Sequence, residues 1–523
     1  MALMWQSRLG WFTLRVAKNF WDKLRISGAL GDIAVGMTIC RWLVCVGCAG
    51  LCLAPARGQD AGGQEAGPKS GSAPVQTSGP AAAPAAPGTG DAADSSDSDV
   101  LTLFPHSESS RFWVSGQANV ILQWHPGFPA AYSGRNSFGA AAQNATSKTE
   151  TLYTGLVLTP TTEVFLDVEE TNGHGLSEAL GLAGFVNLDV VRNPSLGVAP
   201  YLARFMLRQI IPLSSDRMDA TRGIFGLATS LPARRLELRM GKFSLVDFFD
   251  LNSGGSDSHL QFLNWAVDNN GAYDYAANTR GYTDGALVEY DDHGWSVRFA
   301  ETLMPKVANG IHLDADVARA RAENLEFELR KGFLRHREGT VRVLSYVNHA
   351  DMGNYRQAID NFLNGLSSEP DIVATRKQGR KKYGFGLNFE QELTSWLGVF
   401  GRAGWSDGRN ESFAYTEIDR TGEIGEYFDG KLWRRKKDRA GTVFEASGLS
   451  ADHRTYLADG GLGFLLGDGA LTYGREKIFE AYYTGHLWRG FFASFDVQHI
   501  NNPGYNQARG PVVVPGVRLH VEF

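Results

Sequence analysis

The sequence predicts an all-β, transmembrane antiparallel barrel of about sixteen strands, preceded by a signal peptide and an unstructured linker. Three observations carry this. First, the chain ends in strict alternation. Val513, Pro515, Val517, Leu519, Val521 and Phe523 share one side, and Gly516, Arg518, His520 and Glu522 the other. An apolar face ending on an aromatic, backed by a charged face, suits a strand between lipid and a watery lumen. Second, similar alternating segments recur from Arg111 onward, separated by connections that are short and long in turn. Third, composition fits strands and not helices. The mean hydropathy is slightly negative, while 61 glycines and 11% aromatics suit many turns and aromatic girdles.

Taken in order, residues 1–57 form the signal region. Arg41 precedes the apolar run 42–53, and Ala54, Pro55 and Ala56 follow as a small-x-small cleavage site. The run is too short for a permanent helical span. Met37, just ahead of Arg41, is a candidate true start. Cys40, Cys45, Cys48 and Cys52 all fall in or beside this stretch, so the mature chain is expected to carry no thiol. Residues 58–99 are nearly all Ala, Gly, Pro, Ser, Gln and Asp. They bury too little apolar area to offset chain entropy and read as a disordered periplasmic spacer.

Residues 100–523 form the barrel region. The first strand places Ser115, Gln117, Asn119, Ile121 and Gln123 on one face, against Val114, Ala118, Val120, Leu122 and Trp124. Further strands are expected at 149–159, 162–170, 200–211, 233–242, 282–291, 294–303, 322–332, 339–349, 380–392 and 396–405. The series closes with 411–427, 437–447, 475–485, 489–500 and 512–523. Short turns fall at 159–161, 291–294 and 486–489. Longer connections fall at 125–148, 171–199, 243–281, 304–321, 350–379 and 448–474, which places them outside the cell. One connection breaks the rule: 212–232 is on the periplasmic side yet long.

Several stretches bear on family. NPGYNQARGP at 502–511, followed by Gly516, Arg518, His520 and Phe523, resembles the end of carbohydrate-selective porins of the OprB type. GKFSLVDFFD at 241–250, QFLNWAVDNNGAYDYAANTRGYTDG at 261–285, APYLARFMLRQ at 199–209 and ADGGLGFLLGDG at 458–469 are similar to the same family. The resemblance covers about residues 110–523 and implies a sixteen-stranded outer-membrane pore for passive sugar uptake. The long N-terminal extension and Pro515 within a strand depart from it.

A pore for sugars needs hydrogen-bond donors and acceptors at a constriction, and aromatic faces for the apolar sides of the rings. Strand parity names luminal candidates: Asp167, Glu169, Arg204, Arg208, Arg235, Glu237, Arg239, Arg298, Glu326, Glu328 and Arg330. Charge on the lipid face at mid-bilayer costs roughly 2–4 kcal/mol for Arg or Lys, which sends these side chains inward. A luminal charge either meets solute or only braces the wall with a neighbour of opposite sign. The 241–285 segment offers Asp247, Phe248, Phe249, Asp250, Trp265 and Tyr273. Composition leaves it open whether this segment caps the barrel outside or folds inward; the family resemblance implies inward. Phe523 is the expected assembly signal.

No metal site, cofactor or catalytic residue is expected. GxSxG, HExxH and P-loop patterns are absent. The net charge of −6 argues against nucleic acid. Expected partners are mono- or oligosaccharides, outer-membrane lipid with lipopolysaccharide, and the barrel assembly machinery. Three rivals remain: an export channel for an acidic polysaccharide or a general diffusion pore, a barrel enzyme, and a soluble all-β protein.

Overall fold

The computed structural model describes residues 101–190, 196–334 and 336–523. The signal region and the 58–99 spacer lie outside the described residues. Sixteen strands close into one antiparallel barrel, each pairing with its sequence neighbours and β18 returning to β1. They are β1 (Phe112–His125), β2 (Gln143–Thr159), β3 (Thr162–Gly173), β4 (Tyr201–Pro212), β7 (Arg234–Phe243), β8 (Thr283–Asp292), β9 (Trp295–Leu303) and β10 (Arg321–Leu329). The rest are β11 (Gly339–Met352), β12 (Lys377–Glu392), β13 (Leu397–Ser406), β14 (Arg420–Asp429), β15 (Arg439–Gly448), β16 (Glu476–Trp488), β17 (Phe491–Asn501) and β18 (Val512–Glu522). Two further short strands, β5 (Arg217–Asp219) and β6 (Ser230–Pro232), pair with each other outside the barrel sheet. No helix among the described residues is long and apolar enough to cross a membrane.

Burial follows the alternation. In β10, Leu325, Phe327 and Leu329 are exposed while Asn324, Glu326 and Glu328 are buried. In β18, Val513, Val517 and Leu519 face out while Arg518 and His520 face in. With lipid outside and polar groups inside, the sheet satisfies its backbone internally and hides its edges by closing. The closing seam depends on the last residue. Phe523 exchanges backbone hydrogen bonds of 2.7 and 2.9 Å with Gly116. Its ring lies over Gly116, where an added Cβ would stand 2.5 Å from a ring carbon.

Three expected strands need correction. The strand expected at 411–427 begins only at Arg420, because 410–419 forms a buried loop segment. Its apolar residues face an interior partner rather than lipid: Phe413 and Tyr415 are fully buried, and Tyr415 stacks beside Trp265 with ring centroids 5.6 Å apart. The strand expected from 149 starts earlier, at Gln143, and the one expected to run to 332 stops at Leu329. The anomalous 213–233 connection carries β5 and β6, on the end of the barrel where the turns are otherwise short.

Long connections gather at the opposite end, and several turn inward. Two bear the helices α2 (Tyr355–Leu363) and α3 (Ala451–Ala458). The connection 244–282 holds the single-turn helix α1 (Trp265–Asp268) and is buried almost throughout. Segments 176–190 and 410–419 are buried against it, so the core of this protein sits inside the barrel.

Candidate functional site

The inward face of the wall from β3 to β12 carries a ladder of paired charges, and the strand register builds it. Asp167 stands opposite Arg204, Glu163 opposite Arg208, Glu289 opposite Arg298, Arg298 opposite Glu326, and Glu328 opposite Arg342. Opposite charges on facing strands attract across the short cross-strand distance. Where like charges face each other, as Glu237 does Glu289, diagonal contacts repair the pairing. Arg239 reaches Glu237 at 2.6 Å and Glu289 at 3.4 Å. Glu237 also receives Arg208 at 2.8 Å and Arg235 at 2.6 Å. The ladder continues through Arg298 to Glu289 (2.9 Å), Glu326 (2.8 Å) and Glu328 (3.1 Å). Arg342 then joins Glu328 and Glu390, each at 2.9 Å, and Arg330 joins Asp291 at 2.6 Å and Glu328 at 2.7 Å.

A local irregularity sets the position of Arg204. The β3–β4 register shifts between Asp167 and Val168, leaving Ala203 as an extra residue, and both Ala203 and Arg204 face inward. Such a bulge re-aims a side chain. Here it points Arg204 at the inward loop, where it grips Asp247 through two bonds of 2.6 and 2.7 Å while keeping Asp167 at 3.4 Å. Glu169 accepts from Thr151 at 3.0 Å, from Tyr282 at 3.1 Å and from Tyr201.

The inward loop is tied to the wall on all sides. Arg298 donates to the Phe248 carbonyl at 2.7 Å, and the Asp250 amide donates to Glu326 at 2.8 Å. Arg402 of β13 pairs with Asp250 at 2.9 Å and Glu423 at 2.7 Å, and donates to the Val267 carbonyl at 2.8 Å. Across the lumen, Glu480 of β16 accepts from the Leu263 amide at 2.5 Å, and Arg518 of β18 donates to the Ser258 carbonyl at 2.6 Å. His259 stacks beside His520 at 5.6 Å. Burial disfavours the charged His259 ring, but the Asp189 carboxylate at 3.5 Å more than offsets this and raises its pKa.

The sequence-predicted residues therefore divide. Arg204, Arg208, Arg235, Glu237, Arg239, Arg298, Glu326, Glu328 and Asp167 are buried inside the barrel and held in ion pairs, and Glu169 is buried with them and accepts from hydroxyls; Arg330 lies just past the end of β10, partly exposed, and reaches back to Asp291 and Glu328. Asp247 and Asp250 anchor the loop. Its rings knit inward segments to one another. Trp265 donates to the Asn187 carbonyl at 2.9 Å, Phe249 is fully buried, and Phe248 packs under the Arg239 guanidinium at 4.8 Å. Sequence reasoning did not single out Arg342, Arg402, Glu423 or Glu480. Arg342 alternates with Val341 and Val343, so its parity was readable. Arg402 sits among Gly and Ala, where alternation carries no contrast. No group of three or more His, Cys, Asp or Glu that could hold a metal stands together among the described residues.

Comparison with known proteins agrees with this architecture. The high-pH structure of OprB from Pseudomonas putida superposes with a TM-score of 0.58 at 15% identity, covering 79% of this chain and 94% of that one. The low-pH structure of the same protein gives 0.43 at 11% identity, covering 79% and 92%. The outer membrane channel DcaP of Acinetobacter baumannii gives 0.43 at 8%, covering 81% and 100%. No curated protein matches the sequence. The family model for the carbohydrate-selective porins matches residues 137–523. A closed sixteen-strand barrel with a charged lumen and that match over most of the chain lead to one conclusion: this protein belongs to the OprB family of carbohydrate-selective porins, channels of the Gram-negative outer membrane.

Proposed function

We propose that neutral, hydroxyl-rich sugars pass down their gradient through the narrow section where the inward loop meets the ladder, with Arg204, Arg208, Arg235, Arg239, Arg298 and Arg330 and their carboxylates as its wall. One observation carries the reading. Every one of these cations is matched by a carboxylate, so the wall carries little net charge of its own. A wall whose cations are matched by carboxylates favours a neutral solute that brings hydroxyls over one that brings net charge.

The protein makes and breaks no covalent bond in this reading. It reaches the membrane after cleavage beyond Ala56 and is inserted by the assembly machinery with Phe523 as the signal. Lipid and lipopolysaccharide then surround its apolar belt. Liposome swelling with sugars of graded size, paired with sugar block of single channels, tests the transport. Neutral sugars are expected to enter and to block the open channel reversibly. Strong anion selectivity with no sugar block would instead favour a channel for acidic polysaccharide.

A further inference from the structure

The periplasmic-side connection 213–233 is long where barrel turns are short, and its tip is apolar where turn tips are polar: Gly223, Ile224, Phe225, Gly226. Its place in the fold explains both features. β5 and β6 form its stem, and Gly223 and Gly226 bond each other across the tip at 2.8 and 3.3 Å. From there the chain enters the barrel. Leu227 is buried beside Phe165 of β3, and its amide donates to Glu163 at 3.2 Å. Gly226 passes so close to the ladder that an added Cβ would lie 2.5 Å from Arg208 Nη1. Phe225 meets Phe248 of the inward loop edge-on at 5.4 Å, and the Arg204 guanidinium lies 5.1 Å from its ring. The ring is only half-buried, which leaves part of it accessible.

We propose that this hairpin is the second jaw of the constriction, and that Phe225 is a size-determining residue set against Phe248 from the periplasmic side. The inward loop descends from the long-loop end, the hairpin rises from the short-turn end, and the two meet over Arg204. The stem is held from below. Arg222 donates to the carbonyls of Glu108 at 3.2 Å and Ser110 at 2.8 Å, and Asp216 pairs with His293 of the β8–β9 turn at 2.9 Å. The last pair is more than half exposed, so it steadies the stem only weakly. The tip itself rests on apolar and cation–π contacts, which hold a ring in place without a covalent or metal tie.

This inference adds a residue to the proposed sugar path, but its test does not depend on sugar. Phe225→Ala is expected to raise single-channel conductance in potassium chloride and to shift the size cut-off for neutral polyethylene glycols upward. The chain has no cysteine beyond Cys52, so Phe225→Cys gives the mature protein a unique thiol. After folding, a bulky thiol reagent added from the periplasmic side is expected to react there and lower the conductance. That arm also decides the matter if the alanine variant folds poorly. Unchanged conductance and cut-off in Phe225→Ala, or a labelled Phe225→Cys channel conducting as before labelling, would overturn the second jaw. Absence of sugar block in the wild type would sink the sugar reading and leave this one untouched.

Discussion

Replacing Arg298 with Gln tests whether the ladder holds the loop. Arg298 bonds the Phe248 carbonyl at 2.7 Å and reaches Glu326, Glu289 and Glu328 at 2.8, 2.9 and 3.1 Å. Once it is gone, Glu328 keeps Arg330 at 2.7 Å and Arg342 at 2.9 Å, and Glu289 keeps Arg239 at 3.4 Å. Glu326 keeps the Asp250 amide at 2.8 Å and the more distant attraction of Arg342. One buried carboxylate is thus stranded. Removing one partner of a buried pair costs about 3–5 kcal/mol, and the surviving arginines argue for the lower end, about 3 kcal/mol. The loss is expected in guanidinium unfolding followed by the folded-barrel band on unheated gels. The bilayer reversal potential in a salt gradient should shift towards cations, because a positive charge has left the lumen. Adding Glu326→Gln removes the stranded charge, so the double variant should recover about 1–2 kcal/mol of coupling and lose the extra cation selectivity. Strictly additive losses, or identical selectivity in single and double variants, would refute the pairing argument.

Other expectations follow from the seam, the lipid face and the outer loops. Gly116→Ala should displace the Phe523 ring, since the new Cβ would lie 2.5 Å from it, and membrane-inserted protein should fall, as is expected on deleting Phe523; immunoblots of outer-membrane fractions would show no change if the seam tolerates it. Phe327→Arg puts a cation on the exposed lipid face and should cost roughly 2–4 kcal/mol near mid-bilayer, read by unfolding in lipid vesicles, with exposed Phe333→Arg in the β10–β11 turn as the mild control. In the outer loops, burial works against charge on His453, yet Asp419 at 3.1 Å and Glu417 raise its pKa to about 9. Burial likewise opposes charge on Asp419, but His453 lowers its pKa to about 2. The histidine's contribution is complete below its ordinary value near 6.5 and is lost as pH rises through about 9. The aspartate's is complete above its ordinary value near 3.8 and is lost as pH falls through about 2. Limited proteolysis of the α2 and α3 loops should therefore be slowest between about pH 4 and 6.5 and quicken above about pH 9; an equal rate at pH 6 and pH 9.5 would contradict the lock.

Much of the barrel was legible because lipid imposes a period of two. Where each outward residue is apolar and each inward one charged, as in 325–330, parity alone sorts the faces. That rule put ten of the eleven proposed wall residues in the buried interior of the barrel; the eleventh, Arg330, lies just past the end of β10. It failed at 411–419. There Phe413 and Tyr415 alternate like strand residues, yet their apolar partner is Trp265 inside the barrel rather than lipid. Alternation reports that one side is apolar and is silent on which apolar medium that side meets.

Sequence by itself determined the strand count, the inward or outward sense of most wall side chains, and the oddity of the 212–232 connection. Only the tertiary structure decided who pairs with whom. Arg204 reaches Asp247 because of a bulge at Ala203, Arg402 meets Asp250 across the lumen, and Gly116 is bare because Phe523 returns to it after a whole circuit of strands. Parity is a local property, fixed by steric alternation at each residue. Closure, register and loop descent join residues hundreds of positions apart, and no local pattern encodes which of many like charges will be neighbours.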